Sequence, residues 1–122
     1  MPTQGQLQAD ISEAIIKFEK EYMGRGPLET KTYIVDDLVI VRLKGVLTQA
    51  EHQLAKTGDS SRGRDLIKQV RIELLERGRP LLEAVVESII GCKVQSLHTD
   101  ISTSTGERLI VFVLSAPPDS DS

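Results

Sequence analysis

Apolar residues recur along the chain in three distinct rhythms. Leu7, Ile11, Ile15, Phe18 and Tyr22 stand at steps of four, four, three and four, which places them on one stripe of a helix running from about residue 4 to 23. Gly24 supplies a C-terminal stop, and Arg25, Gly26 and Pro27 carry the chain away in a turn. From Thr30 to Lys44 the β-branched residues Thr32, Ile34, Val35, Val39, Ile40 and Val41 surround Asp36 and Asp37, which predicts a hairpin with the two aspartates at its tip. Thr48-Gln-Ala-Glu51 is a capping box that opens a short helix over 48–56. A turn over 57–61, rich in Gly, Asp and Ser, supplies N-cap chemistry for the next helix.

That next helix spans about 62–90, with Leu66, Val70, Leu74, Leu81, Val85 and Ile89 in phase across Pro80. Pro80 falls among Glu73, Glu76, Glu83 and Glu87 on the opposite side, so one kinked helix with its proline toward solvent is the preferred reading, and a break near Gly78 the alternative. Gly91 ends it. Residues 94–102 then alternate, with Leu97, Thr99 and Ile101 on one face and Ser96, His98 and Asp100 on the other, a strand with one wet side. Residues 109–114 are apolar on both faces, Leu109, Val111 and Val113 against Ile110, Phe112 and Leu114, so this strand is central or covered twice. The order α-β-β-α-α-β-β predicts a two-layer α+β sandwich with a mainly antiparallel four-stranded sheet, one domain over 1–114 and a disordered acidic tail over 115–122. One chain has too few helices to cover both faces of that sheet, which predicts a homodimer.

Composition removes whole classes of function. With 122 residues, 39% apolar, 27% charged and a net charge of −3, the chain has neither the basic surplus nor the aromatic residues that nucleic-acid binding uses, although Arg62, Arg64, Lys68 and Arg71 form a local patch. No apolar run approaches the roughly 18 residues of a membrane span, and the first ten residues lack the order of a signal peptide, so the expected compartment is the cytoplasm. One Cys and two His leave no four-ligand metal cluster, and no nucleotide-binding or hydrolase motif is present, so no cofactor, no metal and no catalytic activity are expected.

A few residues could still carry chemistry. His98 and Asp100, two apart on one strand face, could share a proton or, with Ser96 and with Arg42 from a neighbouring strand, hold an anion; a solvated polar face is the plainer reading. Arg25, between two glycines, could receive a carboxylate, or simply complement the helix end. Arg71 falls inside the apolar stripe of the long helix, where it either snorkels or bridges an interface, and Gly78 in the same stripe would let another chain approach. Together with Ile110 and Phe112 on the strand that needs covering, these two are the expected contacts of a dimer or partner. Cys92 reads as a small structural residue, and His52 as solvated surface.

The stretches SEAIIKFEKEYMGRGP (12–27), LVIVRLKGVLTQAEHQLA (38–55) and SLHTDISTSTGERLIVF (96–112) resemble the MpsC-like family of small bacterial proteins, tied to a sodium-translocating, membrane-potential-generating system. The resemblance covers nearly the whole chain. It implies an accessory role beside membrane components that move cations or inorganic carbon, a membrane transport protein as partner and a peripheral place at the inner membrane, with no span in this subunit. It supplies no catalytic residues. The resulting expectation is a non-catalytic, dimeric interaction module, with a sensor of a small anion or metabolite on the polar sheet face as the alternative.

Overall fold

A computed structural model describes residues 2–56 and 60–118, without the side chains of Ser60 and Ser61. The elements are α1 (Gln4–Tyr22), β1 (Glu29–Val35), β2 (Leu38–Lys44), α2 (Gln49–Lys56), α3 (Ser60–Ile90), β3 (Val94–Ser102) and β4 (Glu107–Leu114). The α+β order expected from the sequence is the order observed. The 57–59 part of the expected turn and the last four residues of the expected tail lie outside the described residues.

Each element forms where its local chemistry directs. Thr3 caps α1 by accepting from the Gln6 amide at 3.0 Å, and Leu7, Ile11, Ile15 and Phe18 are buried as the four-four-three spacing requires. Tyr22, the last of that series, is half-exposed and stacks on Phe18 with ring centroids 4.8 Å apart. Asp36 turns the first hairpin at φ 53°, in the left-handed region that a short polar side chain tolerates. Antiparallel pairing then runs from Val35–Leu38 to Glu29–Lys44. The capping box at α2 closes in both directions, Glu51 N donating to Thr48 Oγ1 at 3.1 Å and Thr48 N to Glu51 Oε1 at 2.9 Å. Thr48→Ala is expected to cost about 1 kcal/mol, read as a lower denaturant midpoint with an unchanged slope.

The strands pair as β1-β2-β4-β3, all antiparallel. β4 is central, as its two apolar faces suggested. Its inner face, Arg108, Ile110, Phe112 and Leu114, lies under α1 and α3 with Val39, Val41 and Leu43 of β2 and Leu97 and Ile101 of β3. Each of these apolar side chains contributes roughly 1.5–3 kcal/mol on burial. Among the described residues no helix lies on the outer face.

α3 is one continuous helix of 31 residues through Pro80, which is exposed. Its buried stripe, however, is Ile67, Arg71, Leu75, Gly78, Leu82, Val86 and Ile90, one residue later than the expected series. Leu66, Val70 and Leu81 are 44%, 55% and 46% exposed, and Leu74, Val85 and Ile89 sit at the border. Both adjacent columns of α3 are apolar, so period alone did not select between them. Packing against α1 did: a Cβ on Gly78 would lie 2.6 Å from the Phe18 ring, so the helices meet where the glycine is. No helix among the described residues is long and apolar enough to cross a membrane.

Candidate functional site

Two places concentrate chemistry: a charged network inside the core and the uncovered face of the sheet. The network begins with residues that periodicity assigns to the interior. Glu19 extends the Ile11, Ile15 spacing by one more step of four, and Arg108 extends the alternation of Ile110, Phe112 and Leu114 by one more step of two. The side chains are 1% and 3% exposed and pair across the core, Arg108 Nη1 donating to Glu19 Oε1 at 3.1 Å. Arg108 Nε also donates to Thr99 Oγ1 at 3.2 Å, and that hydroxyl donates in turn to Leu109 O at 2.8 Å. Beside them Arg71 grips Glu51, with Nη2 to Oε1 at 2.6 Å and Nε to Oε2 at 3.1 Å, and donates to Val46 O at 2.9 Å.

The protonation tendencies follow from burial. Removal from water pushes the Glu19 carboxyl up, against the opposing charges of Arg108 and Arg71. The same cause pulls the Arg108 guanidinium down, against the pull of Glu19. Burial also raises Glu51, but the hydrogen bonds from Arg71 and Thr48 outweigh it and hold that carboxyl below its ordinary value. Glu19 Oε2 and Arg71 Nη1 are buried without a hydrogen-bond partner among the described residues. The network joins α1, α2, α3 and β4, and is placed to fix their packing. A cavity of about 40 Å³ beside it, lined by Lys68, Arg71, Thr99, Asp100 and Arg108 among others, leaves space for little more than water.

The outer face reads in rows across β1-β2-β4-β3. One row is Val35, Leu38, Val113 and Ser96; the next is Tyr33, Ile40, Val111 and His98. The third is Lys31, Arg42, Leu109 and Asp100. Seven apolar side chains thus form a contiguous block, with Tyr33, Val35 and Leu109 between 42% and 51% exposed. Charge is confined to one end, where Arg42 pairs with Glu107 at 2.6 Å and Lys44 with Glu29 at 3.5 Å, while Lys31 is exposed without an ion pair among the described residues.

The expected anion site on this face does not assemble. β4 separates Arg42 from β3, and Glu107 already occupies its guanidinium. His98 Nε2 lies 3.2 Å from Ser96 Oγ, whereas Asp100 accepts from Lys68 Nζ at 3.2 Å and from the Ile101 amide at 2.9 Å. The Ile101 amide and then Lys68 hold the Asp100 carboxyl low, and no bond joins it to His98. Arg25 donates to Leu47 O at 2.9 Å and ties the turn after α1 to the start of α2. Cys92 sits half-buried near Ala116 O, its thiol pushed up by burial.

The four expected interface residues are likewise interior. Ile110 and Phe112 have no exposed surface, Gly78 is filled by Phe18, and Arg71 is 6% exposed in the grip of Glu51. The surface that needs cover is carried instead by their neighbours on β4, Leu109, Val111 and Val113, because alternate residues of a strand point to opposite faces. Among the described residues no group of three or more His, Cys, Asp or Glu could hold a metal ion.

Residues 3–116 match the family described as Na+-translocating membrane potential-generating system (MpsC). The uncharacterized protein YbcI of Bacillus subtilis (strain 168) is 45% identical over 112 residues, which cover 92% of this chain and 88% of that protein. The uncharacterized protein YrhF of the same organism is 27% identical over 106 residues, covering 85% and 84% of the two chains. No solved structure matches.

Proposed function

This chain belongs to the MpsC family, and on that premise we propose that it is a non-catalytic accessory module that pairs with a second copy through the outer face of its sheet and serves a membrane transport system from the cytoplasmic side. The observation that carries the pairing is the block of Tyr33, Val35, Leu38, Ile40, Leu109, Val111 and Val113 on a face without helices. Strands spaced about 4.8 Å apart and rising about 3.3 Å per residue give this face an extent of roughly 19 by 25 Å. That is a projected area of about 475 Å², at the small end of specific interfaces, whose standard is roughly 800 Å² per partner.

A second copy suits the face because the block is apolar and uncharged at its centre, while Arg42 and Lys44 at its rim are already paired within the chain. A two-fold axis through the block lays like against like and leaves the ion pairs at a polar edge. The service to a transport system is supported by the family's description.

Analytical ultracentrifugation tests the pairing. The wild type is expected at twice the chain mass at micromolar concentration, and Val111→Lys at the chain mass with its helix content and cooperative unfolding retained, since the new ammonium points away from the core. A wild type that stays monomeric at high concentration overturns the reading. For the transport setting, gently solubilised membranes should yield a cation-transport protein with the tagged wild type, and its absence at every salt concentration would remove that part.

A further inference from the structure

Between α2, the first turns of α3 and the turn from β3 to β4 lies a cleft of about 240 Å³, lined by His52, Ala55, Lys56, Arg64, Thr103 and Ser104. Its described lining is chemically one-sided: an imidazole, an ammonium, a guanidinium and two hydroxyls, with no carboxylate among the described residues. Of the other cations, Arg42 pairs with Glu107, Lys68 with Asp100, Arg71 with Glu51, Arg79 with Glu76 and Glu83, and Arg108 with Glu19, and those without an ion pair to the described residues, such as Lys17, Lys31 and Arg62, lie outside this lining. Neither Lys56 nor Arg64 has an ion pair with the described residues. Two unspent positive charges therefore face one small concavity.

Two glycines build it. A Cβ on Gly63 would lie 2.0 Å from the Leu54 carbonyl oxygen, so α3 crosses α2 at backbone contact and delivers Arg64 beside Lys56. Gly106, at φ 75°, leaves room for the His52 ring, whose Cε1 lies 3.6 Å from where a Cβ would stand. The turn bearing Gly106 is itself tied down, since Gly106 N donates to Ser102 O at 2.8 Å and Val46 N donates to Gly106 O at 3.1 Å. Thr103, only 8% exposed, forms the floor.

We propose that this cleft binds a phosphate group. A phosphate monoester carries a charge of about −1.5 to −2 and three strong acceptor oxygens, which matches two cations and a surrounding set of N–H and O–H donors. The guanidinium fork offers paired donors to two of those oxygens, and the ammonium acts as a point charge. This site is separate from the sheet face and does not depend on pairing there.

The test is titration of inorganic phosphate into isotopically labelled wild-type protein, followed by amide shifts, with sedimentation on vesicles containing phosphatidic acid as a second arm. Saturable shifts confined to 52–56, 63–64 and 103–106, weakened about tenfold or more in a Lys56→Gln, Arg64→Gln double variant and held within about twofold in Arg62→Gln, which removes a charge outside the lining, support a soluble phosphate ligand. No response to inorganic phosphate, but vesicle binding that the double variant loses, supports the same site with a lipid headgroup as the source. Binding to neither probe, or binding that the folded double variant retains, overturns the proposal.

Discussion

Arg108→Met should cost the protein about 3–5 kcal/mol of stability, a large share of the roughly 5–15 kcal/mol a domain of this size has. Met fills much of the arginine's volume, so the cost arises from what is left behind. Glu19, 1% exposed, loses the guanidinium at 3.1 Å and keeps one oxygen already without a partner. Thr99 suffers little, because its hydroxyl still donates to Leu109 O. Pairing the change with Glu19→Leu removes the stranded charge, and the double variant should recover most of the loss, since a buried ion pair replaced by apolar groups of similar volume is often neutral. A double variant as unstable as the single one would show that the pair's geometry, and not its charge, holds α1 on the sheet.

The same comparison has a pH signature with a defined sign. Glu19 titrates above its ordinary value in the folded chain because burial disfavours its charge, so the folded chain binds the proton more tightly than the unfolded one. The stability linked to that proton is full below the unfolded value and is lost as pH rises through the folded one. In the wild type Arg108 opposes the rise; in Arg108→Met that opposition is gone and Glu19 moves further up. The deficit of the variant should therefore be largest at pH 7–8 and should shrink as the solution is acidified through the Glu19 titration. Glu51 runs the other way, since its held-down carboxyl contributes stability that is lost on acidification, but it is common to both chains and cancels in the difference. Equal deficits by chemical denaturation at about pH 5 and pH 8 would refute the assignment.

How far the sequence carried this picture depends on how many rules pointed the same way at each residue. The Thr48–Glu51 box, the Asp36-Asp37 tip and the α1 stripe were legible because capping, turn and periodic signals coincided. The phase of α3 was not, because Leu66, Val70 and Leu81 are as apolar as Ile67, Leu75 and Leu82, and only contact with Phe18 distinguishes the columns. Glu19 and Arg108 escaped notice for the opposite reason: each falls in step with a buried series, but polarity alone argues against an interior place until the partner 89 residues away is known. Strand order was equally silent in the sequence, and it decides that Arg42, His98 and Asp100 do not converge. What survives of the expected interface is its reason, a strand apolar on both sides, with the uncovered side now assigned to Leu109, Val111 and Val113.

Gly63→Ala should destabilise the protein by about 2 kcal/mol, against the usual direction of that exchange. Within a helix, alanine ordinarily gains up to about 1 kcal/mol over glycine. Here the methyl would meet the Leu54 carbonyl oxygen at 2.0 Å and its carbon at 2.9 Å, and a backbone group cannot rotate aside as a side chain can. Overpacking of this kind costs roughly 1–3 kcal/mol or more, so the steric cost exceeds the gain in propensity unless α2 slides off α3. Gly5→Ala is the control, since the nearest atom to its Cβ is Thr3 Oγ1 at 3.9 Å, and it should leave stability unchanged or slightly raised. The two costs of Gly63→Ala are separable by experiment. Sliding of α2 would preserve the melting temperature but carry Lys56 and His52 away from Arg64, so phosphate-induced shifts would weaken in a stable protein; a rigid crossing would lower the melting temperature itself. A variant with wild-type stability and wild-type phosphate response would mean that the two helices do not cross at backbone contact, and the cleft between them would lose its construction.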